Sequence, residues 1–477
     1  MWELKKEKNT PIYISIRELI LSYIKTSILL PGERLPSERK LAELFSVNRS
    51  TVVHALEELV SSGWIIRKPG SGTIVNQEKW GIATASQTDW HHYLKQNIFI
   101  QKDPFIKEIE LIIATKKAGW LDLYTGELAM ELIPTFEFPA LIWKHFLQEE
   151  EKQDDLGYLP LRKAISDEIK REYDFEVAPQ NFLITSGAQQ ALYLILQVLL
   201  APGDSVAVDK PSFFYTLPIF QATGIRLYGI STDEEGMSIT ELVNNIHQHK
   251  IKMIIVNPTF QNPTGNIMTM KRRYELIELC QKYKIPILED DVFSQLSFLP
   301  KDKIQPLKKL APENVLYVGS LSKILGSTTK IGWLSAPASV NLQLAQARKM
   351  MDFSLSIFPQ LMAEITLTDN NFPQKIDLLK KQIDQRGNEV WQFFQEFEEW
   401  EVQKPQGGFY LWIHWTKIDL SLRDWQAFFD EKLLIAPSFV FGKQSNSFRI
   451  NFSQLNAVNF SLFKEKIRKL TKKFCHS

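Results

Sequence analysis

Apolar residues recur at three- and four-residue spacing at Ile12, Ile16, Leu19, Ile20, Tyr23 and Ile24. That is one buried face of a helix running from Ile12 to Ile28, ended by Pro31-Gly32. Pro36-Ser37-Glu38 then supplies an N-cap serine and a first-turn carboxylate to a short helix through Leu41, Ala42 and Leu44. A turn at Ser46-Val47 leads to Asn48, a second N-cap residue, and to a helix whose Val52, Leu56 and Leu59 align in one stripe. Two short helices about a tight turn predict a helix-turn-helix. Two β-rich runs, Trp64 to Lys68 and Thr73 to Val75, flank Pro69-Gly70-Ser71-Gly72 and predict a hairpin, or wing.

Residues 77–118 lose this regularity and read as a linker with some local structure, including a helical stretch near Pro104. From residue 119 to 477 short apolar strands alternate with amphipathic helices. Phe182–Gly187, Asp204–Lys210, Lys252–Pro258, Ile285–Asp291 and Asn314–Ser320 are strand-like, and Ala188–Leu200 and Lys271–Lys284 are helical. The pattern predicts an α/β domain with a mostly parallel sheet and helices on both faces. Residues 1–76 would form a separate α+β winged helix. The large part of the α/β region would span about 150–340, with a smaller α+β domain from the flanking segments.

Composition sharpens this division. The 477 residues carry 56 Lys+Arg and 55 Asp+Glu, a formal charge of +1, which excludes a globally basic nucleic-acid coat but not a local basic module. Residues 1–76 hold 11 basic and 8 acidic side chains, a net of +3, so the remainder is −2. If any segment touches phosphate backbones, it is the first. Cys280 and Cys475 are too far apart in sequence to suggest a metal knuckle or a disulfide framework, and suit a reducing compartment. The charged start lacks the apolar stretch of a signal peptide, and Ala191–Ala201, the longest apolar run, is too short to span a bilayer. A cytoplasmic location is the expectation.

In a helix-turn-helix the second helix aims its first side chains at base edges in the major groove. Here those are Asn48, Arg49, Ser50 and Thr51, with Arg39 at the front of the preceding helix and Arg67, Lys68 and the Gly70–Gly72 tip on the wing. Charged helix starts are commonplace, and spacing alone fits DNA binding and a plain solvated surface alike. The ordered elements PG-x-x-LPSER-x-LA, V-x-RST-V and GW-I-x-x-x-x-GSGT resemble, over about seventy residues, the winged helix of the GntR family of bacterial transcription regulators. That resemblance implies operator-DNA contacts by Arg34, Ser37, Arg39, Arg49, Ser50, Thr51, Lys68, Gly70 and Gly72, made by a homodimer in a bacterial cytoplasm.

Four further constellations carry chemistry. Thr185-Ser186-Gly187-Ala188-Gln189 turns from a strand into a helix, where amides and the positive helix end favour a phosphate. Asn257 to Gly265 places amide side chains beyond the carboxyl end of a strand, where open α/β sheets hold ligands. Glu289-Asp290-Asp291 ends the next strand; one carboxylate could hold a pyridine nitrogen protonated, and at least one of the three should be solvated. Ser320-Leu321-Ser322-Lys323 sets an amine on a loop where it could form a Schiff base. Each motif alone is compatible with an ordinary turn, loop or surface lysine.

Together with Gly407-Gly408-Phe409-Tyr410 and Ser447 to Phe452, they resemble fold-type I aminotransferases over roughly residues 120–475. By that resemblance pyridoxal phosphate forms an internal aldimine with Lys323. Asp290 would pair with the pyridine nitrogen, Asn262 contact the ring hydroxyl, and Phe213 stack on the ring. Ser186, Ala188, Gln189, Ser320 and Lys330 would hold the phosphate, and Arg449 would bind a substrate carboxylate. Tyr158, Phe409 and the strand around Gly126 would line the ligand pocket.

A winged helix of this type fused to an aminotransferase-like domain resembles the MocR/GabR class, regulators that use pyridoxal phosphate to sense an amine or amino acid. Three positions depart from the family pattern. Lys330 stands for a phosphate-clamping arginine, Phe213 for the commoner stacking tyrosine, and Val292-Phe293 where a ring-tuning tyrosine follows the aspartate. These departures favour a sensor with weak or no transamination. A working aminotransferase with an accessory winged helix, and a cofactor-free dimerisation platform, are the alternatives.

Overall fold

The computed structural model describes Trp2, Leu4 and residues 11–26, 28–68, 72–76, 103–115, 118–327, 329–352, 355–417, 420–442 and 446–475. The chain forms two compact units, Met1–Ile100 and Gln101–Ser477.

In the first unit, α1 spans Ile12–Lys25, α2 Glu38–Phe45 and α3 Arg49–Ser61, followed by β1 Ile65–Lys68 and β2 Gly72–Val75. The apolar stripe works as expected: Ile16, Ile20 and Ile24 of α1 pack with Val52, Leu56 and Leu59 of α3 in one core. Each such buried side chain contributes about 1.5–3 kcal/mol of burial free energy. α1 stops at Lys25 and not at Ile28, with Thr26 as C-cap. On α2 the buried residues are Leu41, Ala42 and Phe45, while Leu44 faces solvent. Ser37 Oγ caps α2 by accepting from Lys40 N at 3.2 Å. Asn48 occupies the N-cap position of α3 without a side-chain cap bond. β1 and β2 pair antiparallel from Ile65–Val75 to Lys68–Gly72, forming the wing.

The second unit is built on an eight-stranded sheet: β3 Phe182–Thr185, β4 Ser205–Lys210, β5 Arg226–Asp233, β6 Gly236–Met237, β7 Ile251–Val256, β8 Ile287–Asp290, β9 Val315–Ser320 and β10 Gly332–Ser335. Its order is β3-β10-β9-β8-β7-β4-β5-β6. The β5-β4-β7-β8-β9 run is parallel, and β10 runs against both its neighbours. Near-continuous apolar strands such as Ile287–Leu288 and Met253–Val256 are buried because two separate cores cover the two faces. A second sheet, β11 Trp400–Val402, β12 Tyr410–Trp415, β13 Ala436–Pro437 and β14 Ser447–Asn451, is antiparallel in the order β11-β12-β14-β13. The helix Pro104–Ala114, inside the segment read as linker, is capped by Asp103 and packs Ile106, Ile109 and Ile112 against Phe429 and Leu434 of this unit. Among the described residues no helix is long and apolar enough to cross a membrane.

Candidate functional sites

In the winged helix, Ser37, Arg39, Arg49, Ser50, Lys68 and Gly72 are exposed and Thr51 half-buried; Gly70 lies outside the described residues. Glu38 organises the cations. Its Oε2 accepts from Arg49 Nη2 at 2.9 Å and its Oε1 from Arg67 Nη2 at 3.2 Å, so one α2 carboxylate holds the first arginine of α3 and an arginine of the wing. Arg34 bridges to Ile74, and its guanidinium lies against Gly72, whose φ of +81° suits glycine. A Cβ at Gly72 would stand 3.0 Å from Arg34 Nε.

In the second unit the carboxyl ends of the parallel strands open onto a cavity of about 440 Å³. Ser186, Ala188, Gln189, Phe213, Asn262, Asp290, Ser320, Lys323, Lys330 and Arg449 all line it. A volume of this size suits a small cofactor together with a small ligand. The tight turn after β3 leaves the helix Ala188–Leu199 without a side-chain cap, so its first-turn amides face the cavity unclaimed by any cap. Gly332 makes this turn possible: a Cβ there would lie 2.5 Å from the Gly187 carbonyl carbon. Ser320 Oγ donates to Ile331 O at 2.8 Å, tying the end of β9 to the start of β10. Lys330, at φ +39°, is an exposed cation at the rim, and no ion pair involves it among the described residues.

Backbone alternation separates the three carboxylates at the end of β8, Asp291 standing just past its last residue. Glu289 accepts from the backbone amides of Leu307 and Lys308 at 2.9 and 2.8 Å and lies 3.7 Å from Arg273. Asp291 accepts from Tyr317 Oη at 2.7 Å and Ser294 Oγ at 2.8 Å. Asp290 turns to the cavity, and its Oδ1 is buried without a hydrogen-bond partner. All three are buried, so the expected solvated member of the trio does not exist; helices cover both faces of this central strand. Burial, reinforced by Asp291 and opposed by Lys323, pushes Asp290 up to about 7. Burial likewise raises Glu289 to about 7, with Asp291 adding and Arg273 opposing.

Asn257, to which the Asn257–Gly265 motif assigns no separate role, positions two predicted residues. Its Nδ2 donates to Asp290 O at 2.6 Å, and its Oδ1 accepts from Asn262 N at 2.8 Å. Asn262 Oδ1 in turn accepts from Arg449 Nη1 at 2.8 Å, while Arg449 Nη2 donates to Tyr124 O at 2.6 Å. The guanidinium stacks 4.2 Å from the Tyr410 ring and 5.2 Å from Phe441. Lys323 Nζ donates to Gly126 O at 2.8 Å. Two expected pocket residues are elsewhere. Phe409 is fully buried in the core beside Phe293, and Tyr158 is buried with its hydroxyl on Glu149. Val292 and Phe293 do line the cavity, as does Tyr410, which stands in the Gly407–Tyr410 motif without an assigned role.

These residues fit pyridoxal phosphate. The partnerless Asp290 Oδ1 suits a protonated ring nitrogen, the uncapped helix end beside Ser320 and Lys330 suits a phosphate, and the Lys323 amine suits an aldehyde. Residues 144–467, more than half of the chain, match the family model for aminotransferase class I and II, and residues 12–75 match that for bacterial regulatory proteins of the gntR family. The uncharacterized HTH-type transcriptional regulator YisV of Bacillus subtilis (strain 168) is 31% identical over 95% of this chain and 94% of its own length. YdfD of the same organism, also named an uncharacterized HTH-type transcriptional regulator, is 33% identical over 86% of each chain. The crystal structure of an archaeal alanine:glyoxylate aminotransferase superposes with a TM-score of 0.72 at 26% identity, covering 82% of this chain and 100% of that one. The chain belongs to the class I and II aminotransferase family and, through its winged helix, to the gntR family of bacterial regulatory proteins, the pairing of MocR/GabR-type transcriptional regulators.

Proposed function

We propose that the protein is a transcription regulator that binds operator DNA through residues 1–76 and senses an amino-group-bearing small molecule, an amine or amino acid, at a pyridoxal phosphate site centred on Lys323. The observation that carries this reading is the convergence of ten residues from separate stretches on one cavity that a partnerless carboxylate oxygen faces, in a chain that also carries a winged helix. When bound, pyridoxal phosphate supplies an aldehyde for amines to condense with and an electron-withdrawing ring.

The chain's own residues divide the remaining work. Ser186, Ala188, Gln189, Ser320 and Lys330 would hold the phosphate, the lysine as a point charge where a two-pronged arginine would grip more rigidly. Asp290 would keep a proton on the ring nitrogen, Phe213 would stack on the ring, and Asn262 would meet its hydroxyl. Gly126 O gives the Lys323 amine a resting partner. Arg449 would receive a ligand carboxylate, trading its bonds to Asn262 Oδ1 and Tyr124 O for that ligand. Exchange of those bonds links ligand arrival to two separate segments of the unit, the differential contact that a two-state sensor requires.

A homodimer completes this reading. Ile142, Trp143, Leu147 and Phe358 are 67%, 66%, 50% and 40% exposed, and Trp143 packs 5.7 Å from Phe358, an apolar patch of a kind that marks an interface. Two DNA-reading heads offset the modest charge of one.

A gel shift on DNA from the protein's own promoter region tests the reading. A shift that changes on adding pyridoxal phosphate with candidate amines supports it; no footprint under any of these conditions overturns it. The second reading, a working aminotransferase with an accessory winged helix, shares Arg449 with the first, since that residue argues for an amino-acid-like ligand in either case. Catalytic keto-acid production in excess of the enzyme, from a panel of amino acids and 2-oxo acids, would establish it instead.

A further inference from the structure

The cavity holds a phenol that no motif assigned. Tyr410, on β12, is buried apart from its access to the cavity, and among the described residues nothing hydrogen-bonds its hydroxyl. Its ring is fixed from two sides, by the Arg449 guanidinium at 4.2 Å and by the edge of Phe293 at 5.4 Å. Phe293 is the residue at one of the two positions where a tuning tyrosine was expected, and its ring also lies under Lys323 Nζ at 5.8 Å. The position that lacks a phenol therefore braces one that has it.

Gly126 locates the hydroxyl. A Cβ on Gly126 would stand 3.3 Å from Tyr410 Oη and 3.6 Å from Lys323 Nζ, so both atoms flank the space that glycine leaves open. Lys323 Nζ donates to Gly126 O, and the Tyr410 hydroxyl shares the space beside that bond. The geometry points to Tyr410 as the positioning and proton-exchanging partner of Lys323, a role that rests on the pyridoxal phosphate reading above. When the two atoms close up, the phenol O–H can donate to a neutral amine and its oxygen can accept from an ammonium, so the hydroxyl orients the nitrogen in either state. No covalent bond other than O–H or N–H is exchanged. The other ionisable groups lining the cavity are Asp290, Glu127, Tyr124, Lys330 and Arg449.

The test follows the condensation of pyridoxal phosphate with the cofactor-free full-length chain by visible absorbance across pH, with borohydride trapping and peptide mapping to confirm Lys323. Tyr410→Phe keeps the ring between Arg449 and Phe293, so folding should survive. It should slow loading about tenfold at neutral pH, the worth of one hydrogen bond, and alter the pH profile of loading. Gly126→Ala, which sets a methyl 3.3 Å from the hydroxyl and 3.6 Å from the amine, should shift the profile in the same direction. If wild type loads at Lys323 but both variants give its rate and midpoint, the Tyr410 role is wrong and the cofactor reading stands. If wild type forms no trappable bond at Lys323, the cofactor reading itself falls and the Tyr410 role with it.

Discussion

Arg449 Nη1 donates to Asn262 Oδ1 at 2.8 Å, joining side chains 187 positions apart in sequence. The same guanidinium holds Tyr124 O, and its buried Nε has no partner. An arginine so placed is oriented by two bonds and still has donors, Nε among them, for a carboxylate. Replacing Arg449 by Met should weaken carboxylate-bearing amino ligands about tenfold to a hundredfold, as expected for loss of a charge-assisted pair. Titration of the loaded protein with an amino acid and with its decarboxylated amine checks this: the loss should be confined to the acid.

Lys323→Ala should abolish the borohydride-stable link to pyridoxal phosphate while leaving the phosphate-holding turn in place. Equilibrium dialysis of the variant should then find residual, reversible cofactor binding, and absorbance should lack the visible band of wild type. A variant that keeps as much borohydride-fixed pyridoxyl absorbance in the near ultraviolet as wild type after denaturing gel filtration would place the covalent link elsewhere.

Acidity should set the stability of the cofactor-free protein. Asp209, Glu289 and Asp290 are each pushed up to about 7, in every case chiefly by burial. Unfolded carboxyls ionise near about 4, so the folded chain keeps protons that the unfolded chain has released. Stability from these groups is present below about pH 4 and is lost as pH rises toward about 7. Asp290→Asn removes one such loss. In urea unfolding its margin relative to wild type should be more favourable at pH 8 than at pH 5, and an unchanged margin would contradict a buried ionisation at this position.

On the DNA side, Glu38 holds Arg49 and Arg67 at 2.9 and 3.2 Å. Arg49→Ala should cost about 1–3 kcal/mol of operator binding, the range for one base-reading arginine. Glu38→Gln should unfasten both arginines and raise affinity for unrelated DNA more than for the operator, because charge gained without orientation favours phosphates indiscriminately. Fluorescence anisotropy against operator and scrambled duplexes separates the two effects.

Trp143 is 66% exposed beside Phe358, on the patch assigned to a second copy. Trp143→Glu should convert the proposed homodimer to a monomer in sedimentation at micromolar concentration, with cooperative unfolding retained. A variant that sediments as wild type would move the interface to another face.

The sequence by itself determined the local chemistry. The stripes at Ile16, Ile20 and Ile24 and at Val52, Leu56 and Leu59 specify helix faces because a helix repeats every 3.6 residues. The turn after Thr185, the loop at Asn257–Gly265, the end of β8 and Lys323 were each legible because strand ends and tight turns demand particular residue types. Tertiary structure decided what those motifs face. Glu289, Asp290 and Asp291 are all buried because β8 lies mid-sheet under two cores, a fact that the three letters cannot carry. Tyr158 and Phe409 left the pocket for the same reason: burial and partner choice depend on elements distant in sequence. Tyr410, Gly126 and Lys323 meet only because three remote segments pack together at the carboxyl edge of one sheet, and no periodicity within any one of them records that meeting.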